Sequence, residues 1–144
     1  MKISIVTVAF NAEATIAEAV ASVVGQRQVG FELEYIIVDG ASTDGTLAAL
    51  EPHRDGIAHI ISESDRGLYD AMNKGVAAAT GDFIGILNAD DAYAHNGVLA
   101  AVAARLGKTS AKALYGDLDY VAADGSGRVV RRWRSSEKAP RSFL

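Results

Sequence analysis

The chain contains no cysteine. Disulfides and thiolate metal sites are therefore excluded, and a reducing cytoplasmic setting fits. Long apolar runs are also missing, and none approaches the roughly 18–20 residues that a membrane-spanning helix needs. Asn11, Glu13 and Glu18 break up the first twenty residues, so no signal peptide is expected. His53, His59 and His95 fall in no metal-ligand spacing. No G-x-G-x-x-G follows the first apolar run, and no G-x-x-x-x-G-K-[ST] occurs, which excludes the dinucleotide fingerprint and the P-loop. A phosphoaspartyl phosphatase or receiver domain would carry acids at the end of its first strand, where this sequence has Phe10 and Asn11. There is no internal repeat and no low-complexity tract.

The sequence does hold a core. Its 144 residues are 49% hydrophobic and 22% charged, enough for one domain, expected over residues 1–144. The net charge of −4 conceals an asymmetry. Residues 128–144 carry Arg128, Arg131, Arg132, Arg134, Lys138 and Arg141 against the single acid Glu137, which leaves −9 on residues 1–127. So acidic a body argues against nucleic acid as a partner. The basic end suits anionic lipid or a pyrophosphate, and equally a solvated terminal strand and tail. Peripheral contact with the inner face of a membrane is one use it would have.

Four apolar runs, "KISIVTVAF" (2–10), "LEYIIVDG" (33–40), "IAHIIS" (57–62) and "DFIGILNAD" (82–90), are continuous rather than alternating, as in strands buried on both faces. Helical patterns separate them at 12–26, 42–53 (stopping at Pro52) and 67–81, and a fourth helix is expected at about 96–106. The order predicts an α/β protein with an open, mostly parallel, doubly wound Rossmann-like sheet. "ALYGDLDYVA" and "GRVVRRWR" flank Asp124-Gly125 and predict a C-terminal β-hairpin.

In such sheets ligands bind beyond the carboxyl ends of the strands. Here those ends read Phe10-Asn11, Asp39-Gly-Ala-Ser42-Thr-Asp44, Glu63-Ser-Asp65-Arg66-Gly67 and Asn88-Ala-Asp90-Asp91. One of these could be a turn or helix cap; together they predict a crevice. Asp70 and Lys74 stand four apart, spacing that suits either a surface ion pair or, with Asn73, a stripe facing a ligand. Asp117 and Asp119 alternate with Leu118 and Tyr120 and could simply face water. Asn88, Asp90 and Asp91 offer hard oxygen donors without His or Cys, which suits Mg²⁺ or Mn²⁺ rather than Zn²⁺. Mg²⁺ binds one or two carboxylates and completes its shell with water and phosphate oxygens, so a phosphorylated ligand is expected there.

"VTVAFNAEATIAEAVASVVGQ", "YIIVDGASTDGT", "SESDRGLYDAMNKGVAAATGDFIGILNADDAY" and "LYGDLDYV" together resemble family 2 glycosyltransferases of the GT-A fold, in the bacterial branch that builds surface polysaccharides. The resemblance implies an inverting transferase that uses a divalent metal, a nucleotide-diphosphate sugar (a UDP-sugar favoured) and a saccharide or lipid-linked acceptor. Thr7, Ala9, Phe10 and Asn11 would line the nucleotide site, with Asp39 and Ser42 near the base or ribose. Asp65, Arg66 and Gly67 would lie beside the base, and Asp70, Asn73 and Lys74 would reach the phosphates or sugar. The family's Asp-x-Asp is Asn88-Ala-Asp90 here, followed by Asp91; catalysis through the metal then falls to Asp90, Asp91 or both, with Asp90 favoured.

The family's base lies downstream, in an acceptor-binding part that would begin roughly where this chain stops, so a truncated piece is expected. The rival reading is a donor-binding module without turnover. Nucleotidylyltransferases share the architecture but need a Gly/Arg/Lys-rich loop after the first strand, which "FNAEAT" is not.

Overall fold

The computed structural model describes residues 1–135. Of the basic segment, Glu137, Lys138, Arg141 and the closing Ser142-Phe143-Leu144 lie outside the described residues. The chain divides into two compact units, one of Met1–Lys108 and one beginning at Thr109.

In the first unit, β1 (Lys2–Ala9), β2 (Glu32–Asp39), β3 (His59–Ser62) and β4 (Phe83–Asn88) form one sheet in the order β3-β2-β1-β4. All three pairings are parallel, so all four carboxyl ends reach the same edge. α1 (Ile16–Val24), a 3-10 helix (Ala48–Gly56), α2 (Leu68–Ala78) and α3 (Val98–Leu106) connect and follow the strands. The doubly wound α/β expectation holds.

Period-two alternation sorts β1 and β2 into two cores. Ile3, Ile5, Tyr35 and Ile37 pack with Ile16, Val20 and Val23 of α1, Leu50 of the 3-10 helix and Leu99 and Ala103 of α3. Val6, Val8, Ile36 and Val38 pack on the other face with Ala71 of α2. A β-carbon on Gly75 would land inside the Val6 side chain, so this glycine lets α2 lie close on the sheet.

Two elements differ from expectation. β1 and β2 are buried on both faces, but β3 and β4 are the sheet's edges, and Ile84 and Ile86 of β4 are exposed. α2 packs on β1 and β2 and leaves that side of β4 uncovered. The second helix is 3-10, starts at Ala48 and runs through Pro52 to Gly56. Its would-be caps are used elsewhere: Ser42, Asp44 and Thr46 bond across to residues 11–13.

At the opposite, amino-terminal edge, buried Glu34 accepts hydrogen bonds from Ser4 Oγ, Thr80 N and Thr80 Oγ1, and pairs with Lys2 Nζ at 2.8 Å. Burial alone would raise its pKa, but the bonds from Lys2, Ser4 and Thr80 outweigh burial and hold it at about 2. A depressed carboxylate stabilises the fold above its unfolded pKa and loses that contribution as pH falls through the folded one. The Glu34 contribution is therefore expected to be complete above about pH 4.5 and to vanish towards about pH 2. Glu34→Ala should cost about 1–3 kcal/mol at neutral pH by stranding its donors, and should flatten the acid limb of stability against pH. Urea titrations at several pH values check this; a variant as stable as the parent at neutral pH would overturn it.

The second unit contains an antiparallel hairpin of β5 (Leu118–Val121) and β6 (Val129–Trp133), as expected around Asp124-Gly125. Gly125 and Gly127 take positive φ in its turn, and Ser126 N donates to Asp124 Oδ1. Leu118 faces Trp133 and Tyr120 faces Arg131, while Asp119 faces Arg132 on the other side of the ribbon.

Candidate functional site

Ala9 pairs with Asp39, Asp39 with Ser62, and Val8 with Asn88, which aligns the four strand ends. β2 and β4 flank β1, so the Asp39 end and the Asn88 end lie about 10 Å apart across the rim.

The β1 and β2 loops are tied together by polar groups. Asn11 N donates to Ser42 Oγ at 2.8 Å, and Thr43 N donates to Asn11 Oδ1 at 2.9 Å. Glu13 N donates to Asp44 Oδ2, and Gly45 N to Glu13 Oε2. Ala12 N donates to Thr46 Oγ1. The Thr46 hydroxyl is the main cause of a lowered Asp44 pKa, so Asp44 stays an anion. Asn11 and Ala41 both have positive φ. Asparagine tolerates that region, whereas for alanine it costs about 1–2 kcal/mol. Phe10 stands 66% exposed at this loop, a large apolar ring open to solvent.

Asp39 is fully buried. Its carboxylate accepts from Ser42 N (3.1 Å to Oδ2) and from Ser62 Oγ (2.7 Å). It therefore braces the β2 turn, whatever else it contacts. Asp65 lies directly over Gly40, where a β-carbon would come within 2.5 Å of Asp65 Oδ2. Asp65 Oδ1 accepts from Gly67 N, and Gly67, with φ 112°, starts α2 in a conformation suited to glycine. Asp70 accepts from Arg66 N at 3.0 Å. Lys74 Nζ reaches Ser64 O at 2.7 Å, Glu63 at 3.0 Å and Asp70 at 3.8 Å. The Asp70–Lys74 spacing thus serves an ion-paired clasp from α2 to the end of β3. Arg66 and Asn73 are exposed.

The structure places two of the expected nucleotide-lining residues inside. Thr7 is fully buried below the rim with its hydroxyl bonded to Tyr35 Oη at 2.9 Å, and Ala9 is a core residue. Their strand support is structural; Phe10 and Asn11, which follow β1, are the two of the four that reach solvent. Asp44 lies at the rim, as the strand-end pattern predicts, and Glu13, Thr46 and Ser62 join it there without being expected from sequence. Their partners lie 31 residues away for Glu13, 34 for Thr46 and 23 for Ser62, separations that leave no local sequence signal.

At β4, Asn88 Nδ2 donates to Asp91 Oδ2 at 3.1 Å, and Asp91 N donates to Asn88 O. Asn88 Oδ1 is buried with no hydrogen-bond partner, while Asp90 and Asp91 are exposed. An orphaned amide oxygen beside two carboxylates is an all-oxygen donor set. No cluster of three or more His, Cys, Asp or Glu side chains forms a metal cage among the described residues. The set fits a cation that takes few protein ligands and fills its shell with water and phosphate oxygens, as Mg²⁺ and Mn²⁺ do. Nearby Tyr93 is no base at neutral pH, since burial pushes its phenol up to about 12.

In the hairpin, Arg134 Nη1 contacts Asp119 at 2.9 Å and Asp117 at 3.4 Å, and Ser135 donates to Asp117 through N and Oγ. Those Ser135 bonds, with Arg134, hold Asp117 below the usual carboxylate range.

Comparison with known proteins agrees with this geometry. Residues 4–142 match the family described as glycosyl transferase family 2. An uncharacterised glycosyltransferase of Mycobacterium tuberculosis is 39% identical over 115 residues, 79% of this chain and 44% of that protein. S. aureus TarS 1-349, solved with UDP-GlcNAc, superposes with a TM-score of 0.67 at 27% identity, covering 75% of this chain and 32% of TarS 1-349. Glucosyl-3-phosphoglycerate synthase of M. tuberculosis, solved with Mn²⁺, UDP and glucosyl-3-phosphoglycerate, gives 0.52 at 26% identity, covering 61% and 33%. The chain spans less than half the length of the curated relatives it matches. With the parallel α/β sheet and the polar rim, these matches show that the chain belongs to glycosyltransferase family 2.

Proposed function

We propose that the rim binds a nucleotide-diphosphate sugar, a UDP-sugar in first place, for inverting transfer to a saccharide or lipid-linked acceptor. The observation that carries this reading is the partnerless Asn88 Oδ1 beside Asp90 and Asp91, at the far end of the rim from Asp39. Asp39, Ser42, Asp65, Arg66 and Gly67 would take the base and ribose on the β2–β3 side, with Phe10 and Asn11 between. Asp90 and Asp91, with Asn88, would hold Mg²⁺ or Mn²⁺. When bound, the ion supplies Lewis-acid neutralisation of charge on the departing diphosphate. Asp70, Asn73 and Lys74 would border the phosphate or sugar end. UDP-bearing and Mn²⁺-bearing structural neighbours support the donor class and the metal.

A second reading, donor binding without efficient transfer by these 144 residues, has its own support. Inverting transfer needs a carboxylate to take the acceptor proton. Asp117 and Asp119, the first acids after the metal motif, are occupied by Arg134, and Asp117 is a weakened base besides. Calorimetry with UDP and GDP in Mn²⁺, run beside an assay of UDP release from UDP-sugars, tests both readings. Binding of UDP with little release is expected. Absence of any nucleotide binding would overturn the first reading, and rapid transfer to a defined acceptor would overturn the second. The acceptor class and any membrane contact rest on the family likeness and the basic segment. No helix among the described residues is long and apolar enough to cross a membrane.

A further inference from the structure

Gln26 follows α1, and its side chain is buried although the proposed donor site makes no use of it. Its Nε2 donates to Ser22 O at 3.0 Å and to His95 O at 2.8 Å, and its Oε1 accepts from Leu99 N at 3.0 Å. The nitrogen meets two carbonyls that can only accept, and the oxygen meets an N–H that can only donate. The neighbours therefore settle which way the amide points. Leu99 lies in the first turn of α3, where N–H groups have no partner within the helix, and Gly97 at the N-cap has no side chain to offer. Gln26 supplies that cap from 73 residues away.

Two more bonds join the same surfaces. Tyr93 N donates to Ser22 Oγ at 3.1 Å, while that hydroxyl donates to Ala19 O, and Arg27 N donates to Asn96 O at 2.8 Å. Residues 93–99 are thereby fastened to the end of α1. Asn88 is held on the other side, in β4, by its pairing with Val8. Asp90 and Asp91 lie on the short span between these two anchors. Their placement depends on where the end of α1 holds the chain that follows them. An ion binds more weakly to ligands it must first order, because the lost freedom is charged against binding.

We infer that Gln26, seconded by Ser22, is a positioning residue for the metal turn after β4. Its amide fixes residues 95–99 and so keeps Asp90 and Asp91 at the rim, acting only through the backbone. The inference rests on the metal reading proposed above and adds to it a group outside the donor set.

The test compares UDP affinity in Mn²⁺ with UDP affinity in EDTA, by calorimetry on the full 144-residue chain; their ratio is the contribution of the metal. Gln26→Met fills similar space without polar atoms. It should lower the ratio about fivefold, less than the roughly 10–100-fold typical of groups bonded directly to a metal ligand. Affinity in EDTA should stay near parental, because Phe10 and Asp39 lie on other strand ends. Ser22→Ala removes the Tyr93 anchor alone and suits a helix, so it should lower the ratio by a smaller factor. Glu34→Ala weakens the fold from the opposite edge of the sheet and should leave the ratio unchanged. Free Mn²⁺ followed by electron paramagnetic resonance in the presence of UDP should show the same order of metal affinities.

A parental ratio in both Gln26→Met and Ser22→Ala would overturn the inference and leave Gln26 a helix cap only. An equal fall in Glu34→Ala would overturn it in favour of general loosening, and so would a loss of affinity in EDTA as large as that in Mn²⁺. If the parent itself binds UDP equally in Mn²⁺ and EDTA, the proposed metal site fails and this inference with it. A parent that depends on Mn²⁺ beside unaltered variants removes this inference alone.

Discussion

Chelation by EDTA, or the substitution Asp90→Ala, should weaken UDP binding by at least about tenfold, a loss of about 1.4 kcal/mol or more. The diphosphate carries negative charge into a rim that already holds Asp39, Asp44, Asp65, Asp90 and Asp91. Without a cation, the acids at β4 would repel it. Asp90 is exposed and accepts no hydrogen bond among those found in the described residues, so its carboxylate is available to an ion. Asp91 is tied to Asn88 Nδ2 at 3.1 Å. Asp90→Ala should therefore exceed Asp91→Ala in its effect on affinity, and neither should shift the melting temperature much, since both side chains face solvent. Calorimetry with UDP in Mn²⁺ and in EDTA checks this. Equal affinity in both would remove the metal from the proposed site.

Asp39→Ala is expected to act twice. Its buried carboxylate holds Ser42 N and Ser62 Oγ, and truncation would strand both donors at a cost of about 1–3 kcal/mol, lowering the melting temperature by several degrees. Loss of UDP affinity in that variant would then mix a collapsed β2 turn with a lost ligand contact. Asp39→Asn separates the two, because an amide can accept from Ser42 N and donate to Ser62 Oγ in the same space. Near-parental stability with UDP binding weakened severalfold is the expected result for Asp39→Asn. Unchanged affinity in it would show that Asp39 only braces the turn.

Much of the first unit could be read from residue order. The continuous apolar runs at 2–10 and 33–40 announce strands covered on both sides, and the alternation with helical patterns makes the sheet parallel. Parallel strands bring their polar carboxyl ends to one edge, so Asp39, Asp65 and Asn88-Ala-Asp90-Asp91 were legible as a rim before any contact was known. Asn88, Asp90 and Asp91 also offer hard-oxygen donors by composition alone, and the motif set declares the family. Asp124-Gly125 declares the hairpin turn, because the turn is local chemistry.

Tertiary structure decided the rest, because each remaining point depends on partners distant in sequence. Helix caps and loop stitches use the same side chains, and only the approach of residues 11–13 diverted Ser42, Asp44 and Thr46 from the former to the latter. Whether Thr7 faces a ligand or Tyr35 depends on which side of β1 it occupies and on what lies 28 residues away. Ile84 and Ile86 look as buried as Val6 in sequence, yet they stand exposed on an edge strand while α2 packs over β1 and β2. Local propensity and hydrophobic period specify elements and the edge where chemistry collects. Which polar group is already satisfied, and which is buried without a partner as Asn88 Oδ1 is, depends on long-range packing that no window of sequence contains.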